Sequence, residues 1–356
     1  MTIPSPLHLE QLPDFQMEVL RYAHQIKARN AAKAMVEAEA NAQVALPPVH
    51  NLADFLAIPD EDTAYRIHEL LPSGAHAIIT AQYKAGKTTL LGNLVRSLVD
   101  GDPFLGRYEV TDPTPVTIID NELDERTLRR WLRAQGIRNT HHVRVVSLRG
   151  RVSTFDLLTP TTRARWAQAL HNPGVVLFDC LRPVLDALAL DENRDAGRFL
   201  VAFDALMTDS GADEAVIVHH MGHNGERSRG DSRLQDWPDV TWKLVRQDAD
   251  DPTSPRYFTA FGRDVNVPES ALIYDETTRH LTLTDGNRKS AQAAEILPDL
   301  IAFIQMHPGV STNGVITGLG GAKNTIRQAL ETAVETGEVR RTPRAGKGGG
   351  HAHFAN

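Results

Sequence analysis

The 356-residue chain is short of three things, and each shortage removes a class of answers. It has a single cysteine, Cys180, which excludes an intramolecular disulfide framework and any cysteine-based zinc site. No apolar stretch is long enough to span a membrane, and the polar beginning MTIPSPLHLEQLPDF lacks the hydrophobic region of a signal peptide. A cytoplasmic chain without membrane contact is therefore expected. A basic excess is also missing. The 38 Lys and Arg residues against 45 Asp and Glu leave a net charge of −7, so a nucleic acid would have to be met by local patches. What remains is a length that accommodates a full α/β core plus one or two accessory units.

The chain is organised around His76 to Leu90, HAIITAQYKAGKTTL. His76 to Thr80 reads as a buried strand and LLGNLVRSLV as an amphipathic helix, with Ala81, Gln82, Tyr83, Lys84, Ala85, Gly86, Lys87, Thr88 and Thr89 between them. Strand, loop and helix in this order are what a phosphate-binding loop requires. Its backbone N–H groups converge on phosphates, the helix N-terminus adds its dipole, Lys87 reaches the β/γ-phosphates and Thr88 ligates Mg²⁺. Ala81 stands where a glycine is usual, which is compatible with an ordinary φ at that position.

Further apolar strands are expected at Val116–Asp120, Val143–Ser147, Val175–Asp179 and Ala215–Val218. Acidic side chains at the carboxyl ends of parallel strands project into the crevice where such sheets hold ligands. Glu122 is therefore a candidate base for the attacking water, against the plainer reading that it caps the next helix, a role that suits Asp124 or Glu125 better. Asp179 closes an apolar strand as a Mg²⁺-holding aspartate does. His219 and His220 end the next strand, where an imidazole can sense a γ-phosphate or simply serve the fold. Residues 221–233, MGHNGERSRGDSR, read as a polar loop whose Arg227, Arg229 and Arg233 meet phosphates or solvent. Val240–Val245 and Arg256–Gly262 read as an antiparallel extension ending in Arg263.

Three divisions are expected: an arm over 1–48, a core over 49–288 and a terminal module over 289–356. The arm is one long helix from Asp14 to about Gln43 with a narrow stripe of Phe15, Val19, Tyr22 and Ile26, which lies on its own domain or on a neighbouring subunit. The terminal module reads as three helices, near 291–306, from Ser311 and over 322–336, followed by Val339 to Phe354. It resembles a winged helix-turn-helix, with Lys323 and Arg327 on the exposed face of the third helix and Arg340, Arg341, Arg344 and Lys347 in the wing. Such modules grip duplex DNA or dock proteins.

Taken together, AxxxxGKTT at Ala81–Thr89, DNE at Asp120–Glu122, VVLFD at Val175–Asp179, VIVHH at Val216–His220 and RGDSRLQDWPD at Arg229–Asp239 resemble the RepA-like replicative helicases of plasmids and phages. The resemblance covers roughly residues 50 to 285. It implies a RecA-like α/β core with a mainly parallel sheet, ATP and Mg²⁺ as cofactors, and a ring, usually a homo-hexamer, that moves along single-stranded DNA. A replication initiator or primase would be its partner. It further implies that Glu122 activates water, that His220 senses the γ-phosphate, and that an arginine reaches across from the neighbouring subunit. Asp239 stands where the plasmid relatives carry that arginine, and Arg263 matches the position used in related hexameric helicases, with Arg229 and Arg233 as rivals.

Overall fold

The computed structural model describes residues 14–42, 48–59, 64–221, 233–248, 250–251, 253–344 and 350–356. The chain forms two compact units, 1–61 and 62–356. The first holds helix α1 (Asp14–Ala42) and the short α2 (Leu52–Leu56), whose Asn51 side chain accepts from the Asp54 amide as an N-cap. Val19, Tyr22 and Ile26 of the expected stripe are all exposed, as are Leu52, Phe55 and Leu56.

The second unit opens with β1 (Tyr65–Ile67) and β2 (Leu71–Pro72), then β3 (His76–Ala81) and α3 (Lys87–Asp100). Next come β4 (Val116–Asp120), α4 (Glu125–Ala134), β5 (Val143–Ser147), α5 (Pro160–Leu170), β6 (Gly174–Asp179), α6 (Leu181–Ala187), α7 (Ala196–Ser210) and β7 (Ala212–His220). The core closes with α8 (Arg233–Asp236), β8 (Val240–Arg246), β9 (Arg256–Gly262), β10 (Val265–Tyr274) and β11 (Leu281–Thr284). Nine of these strands form one sheet in the order β11-β10-β9-β8-β3-β7-β6-β4-β5. From β5 to β8 neighbouring strands run parallel, and β9, β10 and β11 continue as an antiparallel meander. The α/β fold is that of a RecA-like P-loop core, as expected, and the pair β8–β9 is antiparallel.

The central strands β3, β4 and β6 are buried along almost their whole length because both faces of the sheet are covered there. Alternate residues serve opposite cores: Ile79, Ile118, Val175, Leu177, Val216 and Val218 face one, and Ile78, Ile119, Val176, Phe178 and Ile217 the other. The first core is anchored by Phe104, Trp242 and Phe258 around α3, the second by Phe155, Phe178, Phe199 and Phe203 around α7. Strand β3 sits in the middle, the chain leaves it for β4 three places away, and β6 and β7 fill the gap. The carboxyl ends of β3, β4, β6 and β7 consequently open on one edge of the sheet, where the crevice of such folds lies.

Residues from 288 onward have their own core. Helix α9 (Arg288–Met306) begins with a capping box of Asn287 and Ser290, α10 (Thr312–Leu319) is capped by Ser311, and α11 (Lys323–Glu335) packs on α9. Strands β12 (Val310–Ser311), β13 (Val339–Pro343) and β14 (His351–Ala355) make a small sheet in the order β12-β14-β13. Leu300, Ile304, Val315, Ile326 and Leu330 fill the centre. Gly318 admits the Phe303 ring, which a Cβ there would meet at 2.1 Å.

Gly174 is the tightest constraint in the large sheet. Its φ is +66°, and a Cβ on it would lie 2.0 Å from the Pro115 carbonyl oxygen, the acceptor of the Val175 amide at the start of the β4–β6 pairing. Gly174→Ala combines left-handed strain with a clash against backbone that cannot turn aside. It should destabilise the protein by about 3 kcal/mol or more in urea unfolding; a loss below about 1 kcal/mol would show that the strand pairing yields more easily than its register implies.

Candidate active site

The phosphate-loop candidate occupies the expected place between β3 and α3. Ala81 is the last paired residue of β3, beside His220 on one flank and Leu244 on the other, so the usual glycine is unnecessary in extended backbone. Gly86 caps α3 at φ +107°, where a side chain would be strained, and Lys84 also adopts a positive φ of 58°. The loop is clasped from β8. Arg246 donates its amide to Gln82 Oε1 at 2.8 Å and its guanidinium to the Tyr83 carbonyl at 3.0 Å, while Tyr83 itself is exposed.

Strand register assembles the rest. Asp120 pairs with Asp179 across β4–β6, and Ala81 with His220 across β3–β7, which sets two carboxylates and an imidazole beside the loop. Lys87 Nζ lies 3.0 Å from His220 Nδ1, and His220 Nε2 lies 3.0 Å from Glu122 Oε1. Cys180 Sγ donates to the same Glu122 oxygen at 3.2 Å. Thr88 Oγ1 donates to Asp179 Oδ2 at 3.4 Å. Each residue of the DNE triplet has its own task. Asp120 accepts from the Leu123 amide, Asn121 exchanges two hydrogen bonds with the Cys180 backbone, and Glu122 faces the crevice. The capping of α4 falls to Asp124, whose Oδ1 accepts from the Arg126 and Thr127 amides.

The electrostatics separate these carboxyls. Burial, with the charges of Glu122 and Asp120 adding to it, raises Asp179 to about 8. Burial likewise raises Asp120 to about 6. Glu122 is held down at about 2, first by its hydrogen bond with His220, against the opposing effect of burial. Asp179 Oδ1 is buried without a hydrogen-bond partner among the described residues. An orphaned carboxylate oxygen beside the Thr88 hydroxyl fits a hard divalent cation such as Mg²⁺, which takes oxygen ligands.

His219 points elsewhere: it is buried, with Nε2 3.5 Å from Glu192 Oε1, and Glu192 pairs with Arg182 at 2.8 Å. Arg263 is also remote. It follows β9 at the amino-terminal edge of the sheet, donates to Asp239 Oδ1 at 2.6 Å and is largely exposed, whereas the loop lies at the other end of β3, about 17 Å of strand away. Arg227 and Arg229 lie outside the described residues, and Arg233 is the first residue of α8, its side chain outside them too. Lys323 and Arg327 are exposed on α11. Arg340 lies over the Phe354 ring at 4.8 Å and Arg341 is paired with Glu331 at 2.7 Å; Lys347 lies outside the described residues.

Three features had no reading in the sequence. Arg246 clasps the loop, Cys180 touches Glu122, and Arg279 lies 4.2 Å over the Trp131 ring and reaches Thr89 Oγ1 at 3.4 Å. Arg279 arrives from the β10–β11 turn, which Asn93 of α3 holds by accepting from the Leu281 amide and donating to the Arg279 carbonyl. Only pairing partners distant in sequence place these groups, so no local spacing announces them.

Residues 41–226, more than half of the chain, match a family described as AAA domain. No curated protein matches the chain.

The raised Asp179 makes a pH prediction. Unfolded, it ionises near 3.8; folded and free of cation, near 8, so folding holds a proton between these values. Its contribution to stability is full below 3.8 and is lost as pH rises through 8. Asp120 acts in the same direction up to about 6, while the Glu122 contribution is lost only as pH falls from 4.5 toward 2. In Mg²⁺-free buffer the unfolding free energy should therefore decline from about pH 5 to about pH 8, and more gently in Asp179→Asn. Equal slopes for the two proteins would contradict the assignment.

Proposed function

The chain belongs to the AAA domain family, and on that premise we propose that it is an Mg²⁺-dependent ATP hydrolase that drives movement along single-stranded DNA as a ring-forming helicase or translocase. One observation carries the ATPase reading. Lys87, Thr88, Asp179, Glu122 and His220 converge on one strand edge around a loop that ends in a helix N-terminus. Lys87 and the loop amides would hold the phosphates, Thr88 and Asp179 the cation, which would neutralise phosphate charge when bound. Glu122, kept ionised by its partners, orients the water and accepts its proton. His220, now joining Lys87 to Glu122, is the group that a γ-phosphate would displace, and so reports its presence. Arg279 brings a further cation to the first turn of α3.

The finer reading follows the resemblance of the motifs. A ring supplies an arginine in trans, and such a residue contributes about 10³ to 10⁵ in rate in related chemistry. Arg263 suits it because it stands at the opposite edge of the sheet, exposed and unable to serve the site of its own chain. To act it would leave Asp239. Arg229 and Arg233 are the rivals. Arg227, Arg229 and Arg233 would track single-stranded DNA. The order α9, β12, α10, α11, β13, β14 supports the winged-helix reading, in which Lys323, Arg327 and Arg340 would offer cations to duplex DNA, while Arg341 is already paired with Glu331. A replication initiator or primase would load the ring. A second reading, a RecA-like ATPase that remodels DNA without unwinding it, shares the same site.

The reading predicts that Lys87→Ala abolishes ATP turnover and strand displacement on a forked substrate without unfolding the protein. Glu122→Gln should still bind ATP but lose turnover by at least about a hundredfold, because an amide cannot take the proton. Turnover that survives Glu122→Gln would remove Glu122 as the base, and turnover without strand displacement in the unaltered protein would favour the remodeller.

A further inference from the structure

The side chains that meet at Glu122 make a donor set unlike the one suited to Mg²⁺. Cys180 Sγ lies 3.2 Å from Glu122 Oε1 and His220 Nε2 lies 3.0 Å from the same atom. The three donor atoms all lie within 4.8 Å of one another. Around a tetrahedral zinc ion, with bonds of about 2.0 to 2.3 Å, ligand atoms stand roughly 3.3 to 3.8 Å apart. The observed spacing therefore needs only small side-chain adjustments. We propose that Cys180, His220 and Glu122 form a binding site for a thiophilic divalent cation, of which zinc is the type case, with the fourth position left to water.

The chemistry of the three groups favours such an ion over Mg²⁺. A thiolate is a soft ligand and an imidazole a borderline one, and zinc takes both where Mg²⁺ takes oxygen. Thr88 and Asp179 offer oxygen alone, so the two cations would sort by ligand type. Geometry brings the neighbours in as well: Asp120 and Asp179 face each other across β4–β6, next to Asn121 and Cys180, while Lys87 lies 3.0 Å from the far side of the His220 ring. The site is reachable, since Glu122 and His220 are partly exposed while Cys180 is buried beneath them. Proton accounting is simple. The S–H bond that now points at Glu122 breaks as the sulfur–metal bond forms, and its proton leaves to solvent. His220 must present a lone pair at Nε2, so its ring proton moves to Nδ1 and the Lys87 ammonium, which now donates there, swings away. One cysteine rules out centres of several thiolates but not a mixed site of one thiolate, one imidazole and one carboxylate, so the expectation that a lone cysteine excludes any cysteine-based zinc site was too wide.

Occupancy would tie up Glu122 and so silence hydrolysis, a consequence that rests on the ATPase reading. The binding itself does not, and its test needs no turnover. Metal-free full-length protein is titrated with Co²⁺ in buffer without nucleotide or Mg²⁺, and the near-ultraviolet thiolate-to-cobalt charge-transfer band is recorded. Because Cys180 is the sole cysteine, any such band in the unaltered protein must come from it. We expect a band that saturates at one Co²⁺ per chain and is displaced by Zn²⁺. It should vanish in Cys180→Ser, and His220→Ala should weaken Co²⁺ binding by at least about tenfold. Cobalt binding without a thiolate band, or equal affinity in the unaltered protein and His220→Ala, would overturn the proposal. Should Cys180→Ser fail to fold, the band in the unaltered protein and its response to His220→Ala still decide the matter.

Discussion

Everything at the carboxyl edge of the sheet depends on negative charge held out of water. Asp179 and Asp120 are about 1% exposed, and Glu122 stands next to them. A low-dielectric crevice tolerates such a cluster only if protons, cations or hydrogen-bond donors offset it. In the chain alone the offset is made by protonation at Asp179, by His220 on Glu122, and by Lys87 behind His220. The same field that destabilises the bare carboxylates suits the crevice to a cation, which the proposed nucleotide would bring with it. Affinity for ligand and strain without it are two sides of one arrangement.

The scaffold bears this cost through register. Parallel pairing with alternating burial fixes which residues end each strand, and a shift of one residue in β6 would turn Phe178 from its own core into the one around α3 and move Asp179 from Asp120. Gly174 and the Asn121–Cys180 bonds pin that register at both ends of the β4–β6 pair. Cations are distributed on the same plan. Arg246 braces the loop from β8 and Arg279 reaches Thr89 from the β10–β11 turn, while Arg263 is carried to the other edge of the sheet by the antiparallel return of β9.

Much of this was legible in the sequence, and for a physical reason. Apolar runs closed by a polar residue mark strands buried on both faces, so the elements bearing Lys87, Asp179 and His220 could be placed before any coordinates. The order of motifs then implied the parallel core. Capping was expected of Asp124 or Glu125 rather than Glu122, and the hydrogen bonds give it to Asp124. What escaped were contacts between residues far apart in the chain. Arg279 sits in a turn for which the sequence offered no reading, and only its docking on Asn93 brings it to Thr89. Cys180 entered the sequence reading only as a lone cysteine, whereas the fold buries it with its thiol against Glu122. The exposure of the apolar stripe on α1 was likewise outside what periodicity could decide, because a stripe states that a surface is needed and not where that surface lies.

The central claim is that these groups form one nucleotide site whose charge is completed by a cation. It is tested most directly by titrating the full-length protein with a non-hydrolysable ATP analogue in a calorimeter, with and without Mg²⁺. The account predicts one site per chain, with affinity that rises in the presence of Mg²⁺ and loses that rise in Asp179→Asn. Binding that ignores both Mg²⁺ and Asp179, or the absence of binding altogether, would contradict it.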